Sequence, residues 1–179
     1  QYDEKRDWYT TFEPEDEFFW NRYRNHLINY ERLDINSVNK LESETLANLM
    51  NCLGNPNDVI KGKRLRRGLV IGDVQSGKTA TYAGLICKAA DAGYKVVILL
   101  TGITESLRKQ TQERMEEGII GFTIRVDENG RMQKKLERVG VGLDNKEIKA
   151  AAFTSYQDDF RGNVDNIVTT LNSHRSLVM

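Results

Sequence analysis

Cysteine and proline are scarce in this chain of 179 residues, with two of each. Cys52 and Cys87 cannot form a disulfide framework, so a small secreted scaffold is excluded and a reducing cytoplasm fits. Pro14 and Pro56 fall where a helix start and a turn are expected. An excess of either charge is also lacking: 26 basic residues balance 26 acidic ones, so the chain as a whole does not attract DNA, although a local patch still would. Its longest apolar run, Val96–Leu100, suits a buried strand and is far too short for a membrane span. No signal-peptide pattern opens the chain, and Gln1 is not an initiator methionine, so the chain is expected to begin inside a longer protein. The two histidines, His26 and His174, have no companions at metal-ligand spacing. What remains, with 39% apolar and 29% charged residues, is a globular protein long enough for one domain, or one domain plus a helical extension.

Glycine is placed where it carries information. Gly72-Asp73-Val74-Gln75-Ser76-Gly77-Lys78-Thr79 fits the phosphate-binding pattern G-x-x-x-x-G-K-[ST] without a gap. Before it, Leu69-Val70-Ile71 reads as a short buried parallel strand; after it, Ala80–Ala92 carries Leu85, Ile86 and Ala89 at helical spacing. A chance match in a chain this long is on the order of one in a hundred, and the strand–loop–helix context reduces that further. The chemistry follows from the residue types. Gly72 and Gly77 let the backbone curl so that N–H groups face phosphate oxygens, and the following helix adds its positive end. Lys78 suits the β- and γ-phosphates of ATP, and the Thr79 hydroxyl suits Mg²⁺, which makes these two the catalytic candidates.

Residues 1–60 read as a helical segment and 61–179 as the first part of a P-loop NTPase core, a layered α/β sheet of the RecA or helicase type. In the first part, Phe19, Tyr23, Leu27 and Tyr30 form one stripe, with Trp20, Arg24 and Glu31 assigned to the surface. Ser37 is the expected cap of a second helix carrying Leu41, Leu46, Leu49 and Leu53, which Gly54-Asn55-Pro56-Asn57 ends. Lys61–Arg67 holds five basic residues in seven, either a solvated linker or a phosphate contact. Ala92-Gly93 stops the helix after the loop, and Cys87 on that helix reads as a packed thiol. Val96–Leu100 follows as a central strand, and Thr104 caps a polar helix from Glu105 to about Glu117. Gly118 and Gly121 bracket an apolar turn or strand at Ile119. Residues 123–147 read as a surface excursion with a turn at Asp127–Gly130. Ile148–Thr154 is expected as a third core strand, Val164–Leu171 as a helix, and Leu177-Val178-Met179 as the opening of another strand.

A complete P-loop engine also needs an acid at the tip of an apolar strand. Neither Val96–Leu100 nor Ile148–Phe153 ends in one, and Asp158-Asp159 follows only after a polar break, where it suits a helix start. The Mg²⁺-holding acid and an arginine finger are therefore expected beyond Met179, and the chain is expected to bind ATP and hydrolyse it poorly.

The stretch Arg66–Gly121, with GLVIGDVQSGKT, KAADAGYKVVILL (Lys88–Leu100) and LRKQTQER (Leu107–Arg114) followed by Gly118, resembles the opening of the Z-one domain. That domain is named as an endonuclease in bacterial proteins of restriction and anti-phage operons. The resemblance implies a nucleotide-driven module related to the motors of superfamily-two helicases, with Gly72, Gln75, Ser76, Gly77, Lys78 and Thr79 as its phosphate loop. It also places Thr101–Gln112 where those motors touch a nucleic-acid backbone, making Arg108, Lys109 and Gln110 candidate contacts to DNA; an exposed polar helix face is the plainer reading. No acidic cluster suited to two-metal cleavage is present, so nuclease activity has no support in these residues. The competing reading is a nucleotide-gated interaction module that docks partner subunits of a defence operon on the aromatic helix Phe18–Tyr30.

Overall fold

A computed structural model describes residues 8–12, 17–58, 66–71, 77–100, 104–136, 148–152, 154, 168, 171–172 and 175–178. The chain divides into two compact units, Gln1–Gly93 and Tyr94–Met179. The first is helical. A 3₁₀ turn, Trp8–Thr11, precedes α1 (Phe18–Asn29); α2 (Ile35–Lys40) runs through a π-helical segment, Leu41–Leu46, into α3 (Ala47–Cys52); and α4 spans Lys78–Asp91.

The core of this unit is built from one stripe on each helix. Phe19, Trp20, Tyr23 and Leu27 of α1 are all buried, so Trp20 belongs to the packed stripe and not to the surface. They meet Val38, Leu46 and Met50, together with Ala80, Ala83, Ile86 and Cys87 of α4. Of the aromatic helix, Phe19, Trp20, Tyr23 and Leu27 enter the core, Phe18 is half-buried, and Tyr30 just past its end is exposed. Small residues on α4 make the approach close. A Cβ at Gly84 would lie 2.9 Å from Leu46 Cδ1 and 3.1 Å from Trp20 Cζ3. Cys87 is packed as expected, and burial pushes its thiol well up from the ordinary value.

Local chemistry sets the ends. Asp34, not Ser37, caps α2: its carboxylate accepts from the Ser37 N–H at 3.0 Å, so the helix starts at Ile35. A carboxylate here gains from the helix dipole as well as the hydrogen bond, which is why it prevails over the hydroxyl. The turn at Gly54–Asn57 forms as expected, with Asn57 N–H donating to Asn55 Oδ1 at 2.9 Å. Trp8 Nε1 donates to the Leu53 carbonyl at 2.8 Å and Tyr9 N–H to Asn51 Oδ1 at 2.9 Å, fastening the 3₁₀ turn to the end of α3.

Two side chains from the last turn of α4 reach across to α1. Asp91 accepts from the backbone N–H groups of Phe19 and Trp20, each at 2.9 Å. Lys88 is buried, donating to Glu17 Oε1 at 2.6 Å and Glu42 Oε1 at 2.8 Å, with its ammonium 5.1 Å from the Trp20 ring centroid.

In the second unit, Thr104 caps α5 (Glu105–Met115) as expected, accepting from the Leu107 N–H at 3.4 Å. The helix is prolonged by a π-helical turn, Glu116–Ile120, so Ile119 is buried on a helix and not in a strand. The antiparallel hairpin β1 (Phe122–Val126) and β2 (Met132–Leu136) follows, in the register Phe122↔Leu136 to Val126↔Met132. Its turn lies at Asp127–Gly130 as expected, organised by Asp127 Oδ1, which accepts from the N–H groups of Asn129 and Arg131 at 2.9 Å each. These bonds hold the Asp127 carboxyl below its ordinary value, the Arg131 N–H contributing most. β3 (Ile148–Ala151) pairs in parallel with β4 (Arg175–Val178), so the last expected strand begins at Arg175. Of the helix expected at Val164–Leu171, Val168 and Leu171 are helical and the rest lies outside the described residues.

The layered P-loop sheet expected from the sequence is not what forms. Helix dominates, and the strands make two separate two-stranded pairings among the described residues. Leu69, Val70 and Ile71 are 84%, 56% and 87% exposed, and Val96, Ile98 and Leu100 are 51%, 80% and 93% exposed, where central strands would be covered on both faces. Val96 makes one isolated bridge. An apolar run supplies the composition of a strand, but a ladder needs a neighbour, and β3 and β4 pair with each other.

Gly84→Val tests the α1–α4 approach. Overpacking against Leu46 and Trp20 is expected to lower the unfolding free energy in a urea titration by about 1–3 kcal/mol, despite a better helix former at that position.

Candidate functional site

The candidate phosphate site opens α4. Gly77 is its N-cap in the left-handed conformation, φ 71° and ψ 26°, and its carbonyl takes the first helical bond from the Thr81 N–H at 3.1 Å. A Cβ at Gly77 would meet nothing within 4 Å. Glycine is needed here for its backbone and not for room, since other residues disfavour this conformation by about 1–2 kcal/mol. Gly77, having no side chain, makes no side-chain cap bond. Lys78 is exposed, Thr79 half-buried and Ala80 buried, so the helix turns its first cation outward while its third residue enters the core. Gly72, Asp73, Val74, Gln75 and Ser76 lie outside the described residues.

A left-handed glycine, the fourteen-residue helix that follows it and a lysine at its first position together suit an anion. The helix end contributes roughly half a positive charge and Lys78 a full one, with the Thr79 hydroxyl beside them for a hard cation. These residues fit a phosphate with Mg²⁺. Among the described residues no group of three or more His, Cys, Asp and Glu side chains is placed to hold a metal, and Asp158 and Asp159 lie outside them. Of the basic run Lys61–Arg67, Arg66 and Arg67 are described, and both are exposed.

The second group of candidates is on α5. Arg108 grips Glu105 with two bonds, Nε to Oε2 at 3.0 Å and an Nη to Oε1 at 2.8 Å, and Lys109 Nζ lies 3.5 Å from the same carboxylate. One acid thus holds two cations. Glu105 was absent from the sequence reading of this site, although its i, i+3 and i, i+4 spacing to Arg108 and Lys109 was there to be read. The Arg108 hydrogen bond is the main cause that brings the Glu105 carboxyl down from 4.5 to about 2, aided by the charges of Arg108 and Lys109. Glu105, Ser106, Leu107, Lys109, Gln110 and Glu113 line an open depression of about 630 Å³. Two carboxylates beside one lysine give that depression a mixed charge.

Gln112 and Glu116, further along this helix, do structural work. The Gln112 amide donates to Glu116 Oε1 and to the Thr154 carbonyl, each at 2.9 Å, and its oxygen accepts from Thr154 Oγ1 at 2.6 Å. This clasp ties α5 to the chain just past β3.

No family model, curated protein or solved structure matches this chain. Among the described residues no helix is long and apolar enough to cross a membrane.

The Glu105 cluster has a defined acid limit. Because the folded carboxyl titrates below its ordinary value of 4.5, the ion pairs are complete above that pH and are lost as pH falls through about 2. A side-chain carboxyl NMR titration is expected to find the Glu105 midpoint near that lower value, and Arg108→Ala to return it towards 4.5.

Proposed function

We propose that this chain is the ATP-gripping part of a cytoplasmic, nucleotide-driven protein that acts on nucleic acid in restriction or phage defence. The observation that carries the reading is the octapeptide Gly72–Thr79 running directly into α4 through a left-handed Gly77. The resemblance of Arg66–Gly121 to the Z-one domain supplies the biological setting.

Each role follows from the chemistry of the residue. Backbone N–H groups of Gly72, Asp73, Val74, Gln75 and Ser76 cradle phosphate oxygens, and the start of α4 adds its dipole. Lys78 neutralises charge on the terminal phosphates, and Thr79 holds Mg²⁺. Held there, Mg²⁺ would supply positive charge against the negative charge that develops on the phosphates. The proposed activity of these residues is binding, with efficient hydrolysis belonging to the whole protein. Nucleic acid is read as contacting α5, where backbone phosphates compete with Glu105 for Arg108 and Lys109 while Gln110 donates an amide. The partner-docking alternative would have to use Phe18 and Tyr30, since Phe19, Trp20 and Tyr23 are buried.

Titration with a fluorescent ATP analogue and Mg²⁺ tests the site. Binding is expected for the wild type and a loss of tenfold or more for Lys78→Ala, worth about 1.4 kcal/mol or more; equal affinities refute the assignment. In a DNA-binding assay across salt, changing both Arg108 and Lys109 to Ala is expected to weaken binding and reduce the salt slope by about 2. Unchanged slopes remove α5 from the interface.

A further inference from the structure

The acid that grips the α5 cations does more than complete a surface ion pair. Arg108 and Glu105 meet through two parallel bonds, Nε to Oε2 at 3.0 Å and Nη2 to Oε1 at 2.8 Å. A guanidinium presents this same fork of N–H groups to two oxygens of a phosphate. Lys109 Nζ, 3.5 Å from Glu105 Oε1, brings the second positive charge that a phosphate contact would use. Glu105 thus occupies the donors that a nucleic-acid phosphate would need. It is exposed, while Arg108 and Lys109 are half-buried, so the cations are the shielded partners and the acid the accessible one.

Two features keep the carboxylate in place. Glu105 is the first residue of α5, where the helix dipole favours a negative charge independently of Arg108 and Lys109. It is also tethered three and four residues from its cations, so it competes for them at an effective concentration on the order of millimolar or higher. With Glu113, which lines the same depression as Glu105 and Lys109, two acids offset two bases on this stretch of α5. Such a balance exerts little long-range pull on a polyanion.

We propose that Glu105 is a built-in phosphate mimic that restrains nucleic-acid binding: it occupies Arg108 and Lys109 in the free protein, and a backbone phosphate binds α5 by displacing it. This rests on the reading of α5 as a nucleic-acid face and adds the residue that regulates that face. The exchange makes and breaks no covalent bond. The displaced carboxylate turns to solvent, which its exposed position allows, and its charge sets the affinity that the two cations can reach.

Anisotropy of a fluorescently labelled single-stranded DNA, titrated with the full chain at pH 7 across a salt series, tests the proposal. Glu105→Gln keeps the size of the side chain and removes its charge. It is expected to tighten binding about threefold to tenfold at low salt, the worth of the surface ion pairs that the DNA no longer has to break. The gain is expected to vanish when Arg108 and Lys109 are also alanine. Glu128→Gln removes an equal charge from the exposed Asp127–Gly130 turn and is expected to change affinity by less than about twofold. If Glu105→Gln binds like the wild type while the alanine pair still weakens wild-type binding, the mimic is overturned and the α5 reading stands. A gain that survives loss of Arg108 and Lys109, or that Glu128→Gln matches, also overturns it, because general loss of negative charge then explains the effect. If the alanine pair leaves wild-type binding unchanged, the α5 reading fails and the mimic with it.

Discussion

The helical unit depends on how the end of α4 is tied to the start of α1. Every helix begins with N–H groups that have no partner of its own, and most recruit a nearby side chain. Helix α1 instead recruits Asp91, far along the chain, while Lys88 one turn earlier satisfies Glu17 and Glu42 together. A buried ammonium is costly unless it is fully engaged, and this one has two carboxylates and the face of Trp20. The start of α1 and the π-helical segment are thereby fixed to one turn of α4, and the close contacts of Gly84 with Leu46 and Trp20 follow from the same docking. Non-directional packing would tolerate a helix rotated or shifted along its axis; these directed bonds specify one arrangement.

That arrangement gives α4 two different ends. Its last turn is buried in charge-assisted bonds, and its first residues, Gly77 and Lys78, are exposed. In the first unit, then, the proposed phosphate-binding end belongs to a helix held by other helices, not by a sheet. The physical requirements of an anion site are local: a curled backbone, a helix start and a cation. Such a site asks of its surroundings only that the helix be rigidly held.

Much of the local structure was legible beforehand. The Thr104 cap, the halt of α4 at Gly93, the Gly54–Asn57 turn and the Asp127–Gly130 turn each arise from a few adjacent residues whose side chains or backbone freedom act on their own neighbourhood. The left-handed Gly77 belongs with them. Asp34 capping in place of Ser37 was a near miss of the same kind, two acceptors competing for one helix start. On α5 the candidate cations are legible in the sequence, and their shared engagement with Glu105 follows from its i, i+3 and i, i+4 spacing to them. The larger errors concern partners distant in sequence. Trp20 is buried beside the stripe that its spacing alone would exclude it from, and Leu69–Ile71, Val96, Ile98 and Leu100 are exposed despite the composition of central strands.

The sequence by itself determined where α5 starts and α4 stops, where turns fall and which residues form the phosphate-loop pattern, because those features depend on contacts within a few positions. Only the tertiary structure decided that Asp91 caps α1, that Lys88 lies between Glu17 and Glu42, and that Val96–Leu100 is no ladder strand. The reason is the same in each case. A lone acid, a lone lysine and an apolar run are chemically incomplete, and what completes them, or leaves them exposed, is a neighbour brought near by folding.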